Sequence, residues 1–126
     1  MELDLHVHSC YSYDSLLRPE TILRRAKAMG LTGVAITDHG TIQGALRAHR
    51  VNRDEEFTVI VGCEILTDIG DILGLFLHDE IRSTSFPEVI DEIRSQDGLV
   101  VLPHPFRGHT LSDVVIRSID AVEVFN

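Results

Sequence analysis

Short apolar runs alternate with amphipathic stretches along almost the whole chain, and this alternation sets the elements. The run ELDLHV (2–7) reads as a strand, with Leu3, Leu5 and Val7 on one face and Asp4, His6 and His8 on the other. In RPETILRRAKAMG (18–30), Ile22, Leu23, Ala26 and Met29 recur at helical spacing. Pro19 sits where a first helical turn tolerates it, and Gly30 supplies a stop. The pattern next predicts a strand at GVAIT (33–37), a helix at TIQGALRAHRVNR (41–53) and a strand at FTVIVGCEIL (57–66). Turn residues in DIGD (68–71) precede ILGLFL (72–77), so residues 64–78 are expected to form a hairpin-like excursion. There follow a helix at SFPEVIDEIRSQ (85–96), a strand at GLVVLP (98–103), a short helix at LSDVVIRS (111–118) and a last strand at DAVEVF (120–125). Repeated strand–helix units imply an α/β fold, and no repeat, low-complexity tract or linker divides residues 1–126 into more than one domain.

Composition adds mainly exclusions. The chain is 44% hydrophobic and 25% charged, ordinary for a globular protein, and no apolar run approaches the roughly 18 residues of a membrane span. The start MELDLHVH has no basic region ahead of an apolar stretch, so no secretory signal is expected. Cys10 and Cys63 alone make a poor disulfide framework, and a reducing cytoplasm is the expected compartment. A formal net charge of -9 argues against a general electrostatic grip on long nucleic acid. Bound divalent cations would reverse that potential locally, which keeps a nucleic-acid end among the substrates to consider.

The polar residues that could do chemistry collect at strand ends. His6 and His8 close the first strand, Asp38 and His39 follow the second, Glu64 closes the third, and His104 follows GLVVLP. In barrels of parallel strands, chemistry gathers at the carboxyl ends, where loops vary without disturbing the packed core. Imidazoles at i and i+2 share a face and can bring two nitrogens to one borderline metal such as zinc, manganese or iron. Taken alone the pair also fits an exposed alternating strand. Asp14 lies in a polar loop that can reach back over the same end, though a plain turn aspartate reads the same way. Asp38 is read as an acceptor that fixes the His39 ring or as a helix cap. An isolated buried Glu64 would be costly, and bridging two cations would remove that cost. Pro103 and Pro105 would hold the direction of His104, and Arg107 is a candidate phosphate clamp as well as an ordinary surface arginine. His49 and His109 are read as solvent-facing, Cys63 as pointing away from Glu64, and neither cysteine as a metal ligand.

Four segments together, DLHVHSCYSYDS, GVAITDHGTIQGA, VGCEI and LPHPFRG, resemble the motifs of the PHP family, the polymerase and histidinol phosphatase type of metallophosphoesterase. The resemblance covers nearly the whole chain and implies a distorted (β/α)7-type barrel with one to three divalent ions (manganese, zinc or iron). It implies His6, His8 and Glu64 around one ion, Asp14 and His39 around another, and Glu64 with His104 around a third. Where the family usually has a further histidine before an LG strand, this sequence has Asp71. That residue is preferred to His78, which a seven-residue strand would carry roughly 23 Å further along. Family chains generally continue to a closing Asp-x-His motif that the sequence, ending on AVEVFN, does not carry. The expected barrel is therefore incomplete, with an exposed edge that makes a homo-oligomer an expectation. A fragment of a longer protein, or a minimal form with fewer ions, fits the same departure. The implied activity is metal-dependent hydrolysis of a small phosphate monoester, a nucleotide or a short oligonucleotide, with Glu64, His104 and Arg107 in catalytic roles. A catalytically weak metal-binding or structural module and a metal-dependent hydrolase of a non-phosphate bond are the alternatives.

Overall fold

A computed structural model describes residues 1–124. Its elements run β1 (Leu3–Val7), α1 (Pro19–Ala28), β2 (Gly33–Ile36), α2 (Gln43–Val51), β3 (Thr58–Thr67), β4 (Gly70–Leu75), α3 (Phe86–Ser95), β5 (Leu99–Leu102), α4 (Asp113–Ser118) and β6 (Ala121–Val122). The strands form one sheet in sequence order. β1, β2 and β3 are parallel; β4 runs antiparallel to both β3 and β5, and β6 is parallel to β5. The fold is α/β, an open partial barrel. The sheet curls strongly, because His6 on one edge strand lies 2.9 Å from Glu123, just past the other. Among the described residues no helix is long and apolar enough to cross a membrane.

Strand alternation divides the apolar residues between two cores. Val34, Ile36, Val61, Cys63, Ile65, Val100 and Leu102 face outward and pack under the helices, against Ile22, Leu23, Ala45, Ala48, Val89 and Ile93. Ala35, Ile60, Leu73, Leu75 and Val101 face inward and fill the barrel, with Leu3 packed against them. Glu64 shares the parity of Ile60 and therefore points into the barrel.

The first strand departs from simple alternation. Its register shifts between Asp4, paired with Val34, and Val7, paired with Ile36, so β1 carries one residue more than β2 over this interval. Such a bulge flips the faces beyond it. Leu3 thus packs inward while Val7 packs outward against the helix-covered core, and they do not share a face with Leu5, which is exposed. His6 and His8, on the far side of the bulge, turn toward the barrel mouth.

Other boundaries shift modestly. β3 runs three residues past Glu64 because it pairs with β4 as far as Thr67 and Gly70, so Glu64 lies inside the strand instead of closing it. Met29 caps α1 and is exposed, unlike Ile22, Leu23 and Ala26 of the same apolar stripe. β6 covers only Ala121 and Val122, and Phe125, the end of the expected last strand, lies outside the described residues.

Candidate metal centre

Glu64 is the hub. Its side chain is 2% exposed, and imidazoles from three segments converge on its two oxygens. The Nε2 atoms of His6 and His8 lie 3.0 and 2.8 Å from Oε1, and that of His39 lies 3.8 Å away. His104 Nε2 approaches Oε2 at 3.2 Å. Asp14 reaches back over the rim, with Oδ2 2.9 Å from His8 Nδ1 and 3.0 Å from His39 Nε2. Asp71 brings Oδ2 within 3.6 Å of His104 Nε2. Three overlapping sets of donor atoms each lie mutually within 4.8 Å: His6, His8 and Glu64; His8, Asp14 and His39; and His39, Glu64 and Asp71.

Local structure explains the convergence. The β2–β3 ladder continues past β2 through hydrogen bonds from Glu64 N to Asp38 O and from Gly40 N to Glu64 O, which sets His39 directly beside Glu64. Because β4 runs backwards, its first residues lie at the same rim as the end of β3, and this brings Asp71 to the site. His104 has φ +29, a left-handed backbone that turns its side chain inward after buried Pro103. His78 stays outside the cluster, with its amide and ring held by Gln96.

Asp38 does neither of the jobs expected of it. It is fully buried and accepts hydrogen bonds from the amide and hydroxyl of Ser9, which locks the loop after His8 onto the end of β2. The start of α2 is instead held by Glu80, whose carboxylate accepts from Ile42 N, the Thr41 hydroxyl and the Gln43 amide. His39 N donates to the Ser12 hydroxyl at 2.8 Å.

His109 also departs from its solvent-facing reading. It is half-buried, packs on the His104 ring at 5.5 Å and hydrogen-bonds through Nε2 to the Asp71 carbonyl at 2.7 Å. The loop fold that brings it there leaves no periodic trace in the sequence. Glu123, which meets both His6 and the His104 backbone, was likewise passed over. The sequence pattern runs the last strand through 120–125 and so places Glu123 inside it, whereas the structure ends that strand at Val122 and leaves Glu123 at a strand end like the other site residues. His49 is exposed, and Cys63 lies in the outward core with its thiol pushed up to about 12 by burial and then by the Glu80 charge.

The electrostatics are those of a tightly coupled nitrogen–oxygen cluster. Hydrogen bonding to Glu64 outweighs burial and raises His8 to about 9. Burial opposes a charged His6, but its bonds to Glu64 and Glu123 prevail and raise it. Burial also opposes a charged Glu64, yet the bonds from His6 and His8 hold it well below the usual carboxylate range. Asp71 is raised, first by burial and then by the Glu64 charge.

This donor set fits borderline divalent cations. It combines imidazole nitrogens with carboxylate oxygens, and His8 presents both ring nitrogens to carboxylates, an arrangement that without a cation requires it to carry two protons. Above the cluster opens a cleft of about 540 Å³, lined also by Tyr13, Leu66, Arg107 and Gly108. Tyr13 stacks on His39 at 4.8 Å, and Arg107 is exposed on the cleft wall.

The chain is similar to known proteins over most of its length. The PHP domain family model matches residues 4–102. An uncharacterized protein of Methanocaldococcus jannaschii, MJ1587, is 39% identical over 140 aligned positions, spanning all of this chain and 82% of its own length. The DNA polymerase III alpha subunit of Treponema pallidum is 42% identical over 62 residues, 48% of this chain but 5% of the subunit. Among solved structures, a two-domain Bacteroides vulgatus protein containing a predicted PHP-like metal-dependent phosphoesterase superposes with a TM-score of 0.83 at 18% identity, covering 98% of this chain and 44% of its own.

Proposed function

Because the chain belongs to the PHP domain family, we propose that it is a metal-dependent hydrolase of phosphate esters, acting on a small monoester, a nucleotide or the end of a short oligonucleotide. The observation that carries this reading is the convergence of four imidazoles and two further carboxylates, from separate strands and loops, around buried Glu64. His6, His8 and Glu64 would hold one cation, Asp14 and His39 a second, and Glu64 with His104 and Asp71 a third. Bound there, divalent cations supply Lewis-acid polarisation of the phosphoryl group and acidify a water for attack.

The chain's own residues supply geometry and counter-charge. Glu64 sits on a paired β-strand and is contacted by side chains on both oxygens, so it fixes the spacing of everything around it. His104 is held by its left-handed backbone and by the Glu123 carboxylate beneath its amide. Arg107 stands on the cleft wall, where its guanidinium can form charge-assisted hydrogen bonds to phosphoryl oxygens. The cleft is open enough for a small ester or a single-stranded end, and the acidic surface disfavours long duplexes.

The test is phosphate release from a panel of sugar phosphates, nucleotides and short oligonucleotides with manganese, zinc or iron(II). Release that requires the cation and disappears in Glu64→Gln supports the reading. Stoichiometric cation binding with no turnover of any ester would overturn it in favour of a metal-binding module, and cleavage confined to non-phosphate bonds would reassign the chemistry.

A further inference from the structure

Glu123 lies outside all three donor sets, yet it touches His6, a member of one, and His104, whose ring abuts Glu64. Oε1 is 2.9 Å from His6 Nδ1, and Oε2 accepts the His104 amide at 2.7 Å. Its own amide donates to the Leu102 carbonyl, and β6 ahead of it pairs with β5, so the carboxylate projects from an anchored main chain. The contact spans 117 residues and joins the two edge strands of the curled sheet.

An ionised carboxylate only accepts hydrogen bonds, so the hydrogen in the Glu123–His6 contact must sit on Nδ1. The opposite nitrogen, Nε2, faces the Glu64 carboxylate, so the metal-free ring holds a second hydrogen there, and that is the one an arriving cation displaces. A ring whose hydrogen is held on Nδ1 presents its lone pair at Nε2, the orientation a cation ligand needs. The second oxygen acts on His104, whose φ of +29 is a backbone state on the order of 1–3 kcal/mol above the common regions and persists only where its surroundings hold it. One side chain therefore addresses both the ring state of His6 and the backbone of His104.

We propose that Glu123 is a positioning residue of the metal centre, which keeps the hydrogen of His6 on Nδ1 so that Nε2 is free to bind a divalent cation, and which fixes the inward turn of His104. This rests on the reading of His6 as a ligand, but its decisive measurement needs no turnover.

The experiment is nitrogen-15 NMR of the imidazole rings in the full chain, metal-free and at alkaline pH where neutral rings dominate, and again with zinc ion as the only added ligand. With zinc bound to the wild type, His6 should carry its hydrogen on Nδ1 and meet the ion through Nε2, the metal-free spectrum serving as the reference. Glu123→Gln keeps the size of the side chain but offers one acceptor where two donors need one. It should lose the Nδ1–H preference and weaken zinc binding on the order of 10–100-fold in chelator competition. A zinc-bound wild-type His6 that carries its hydrogen on Nε2 and meets the ion through Nδ1 overturns the proposal whether or not the variant folds. So does a Glu123→Gln protein that melts at lower temperature while its His6 tautomer and zinc affinity stay unchanged, the pattern expected of a purely structural tie. Failure of ester hydrolysis alone would sink the hydrolase reading and leave the tautomer result standing.

Discussion

At the scale of single residues the site is a store of protons. His8 donates to Glu64 through one nitrogen and to Asp14 through the other, and its pKa near 9 means that a cation arriving near neutral pH must displace a proton. Zinc or manganese binding should therefore release at least one proton, and apparent affinity should rise about tenfold per pH unit for each proton released, levelling off above about 9. Calorimetry in buffers of different ionisation enthalpy measures the number. The metal-free fold should respond in the opposite sense. Its His8 pKa lies above the unfolded value of 6.5, so the stabilisation from that proton is complete below pH 6.5 and is lost as pH rises through 9. Glu64, held low, contributes above its unfolded value of 4.5 and loses that contribution as acid protonates it. Thermal melts in chelator should thus decline from pH 6.5 to 9 while melts in excess manganese do not. The two thiols should separate as sharply. Exposed Cys10 should react with a thiol reagent in the native protein, whereas Cys63, buried and raised to about 12, should react only after denaturation.

At the scale of elements, α2 shows how closely a helix is seated on the site. A Cβ built on Gly44 would fall 2.2 Å from Asp38 Oδ2 and 2.4 Å from the Ser9 hydroxyl. Helix propensity favours alanine over glycine by roughly 1 kcal/mol. Overpacking costs typically 1–3 kcal/mol, and here the displaced groups are fully buried and bonded to each other. Gly44→Ala should therefore destabilise the protein, as read by urea melts, and weaken zinc binding through displacement of the loop after His8. Most elements were legible in the sequence because their signals are local: Pro19 ahead of a 3.6-residue apolar stripe, turn residues between β3 and β4, and β-branched runs for the buried strands. The strand-end histidines and Glu64 were legible for the same reason, whereas Asp71 was singled out only by the family resemblance, as the residue ahead of an LG strand. The bulge in β1 was not, because an extra residue leaves its mark on pairing with β2 and not on composition. Neither were the loop conformation that seats His109 on Asp71 nor the pairing of Asp38 with Ser9, since alternation says nothing of contacts made between loops.

At the scale of the whole molecule, one cluster draws on every strand or its flanking loop, and a ligand that binds it braces the entire sheet. A cation present at a hundred times its dissociation constant stabilises the folded state by about 2.7 kcal/mol. For a chain of this size that corresponds to a rise in Tm of roughly 10 °C. Differential scanning fluorimetry with manganese or zinc should show such a rise in the wild type and little of it in His8→Ala. The hub and its first two histidines come from the first 64 residues, but the tether between His6 and Glu123 joins residues 117 apart. During synthesis the N-terminal imidazoles leave the ribosome early, and the carboxylate that orients the first of them follows 117 residues later. Until β6 docks, any ion caught by the nascent segment sits in a half-built cage and can still exchange, so selection of the final occupant is deferred until that strand is in place.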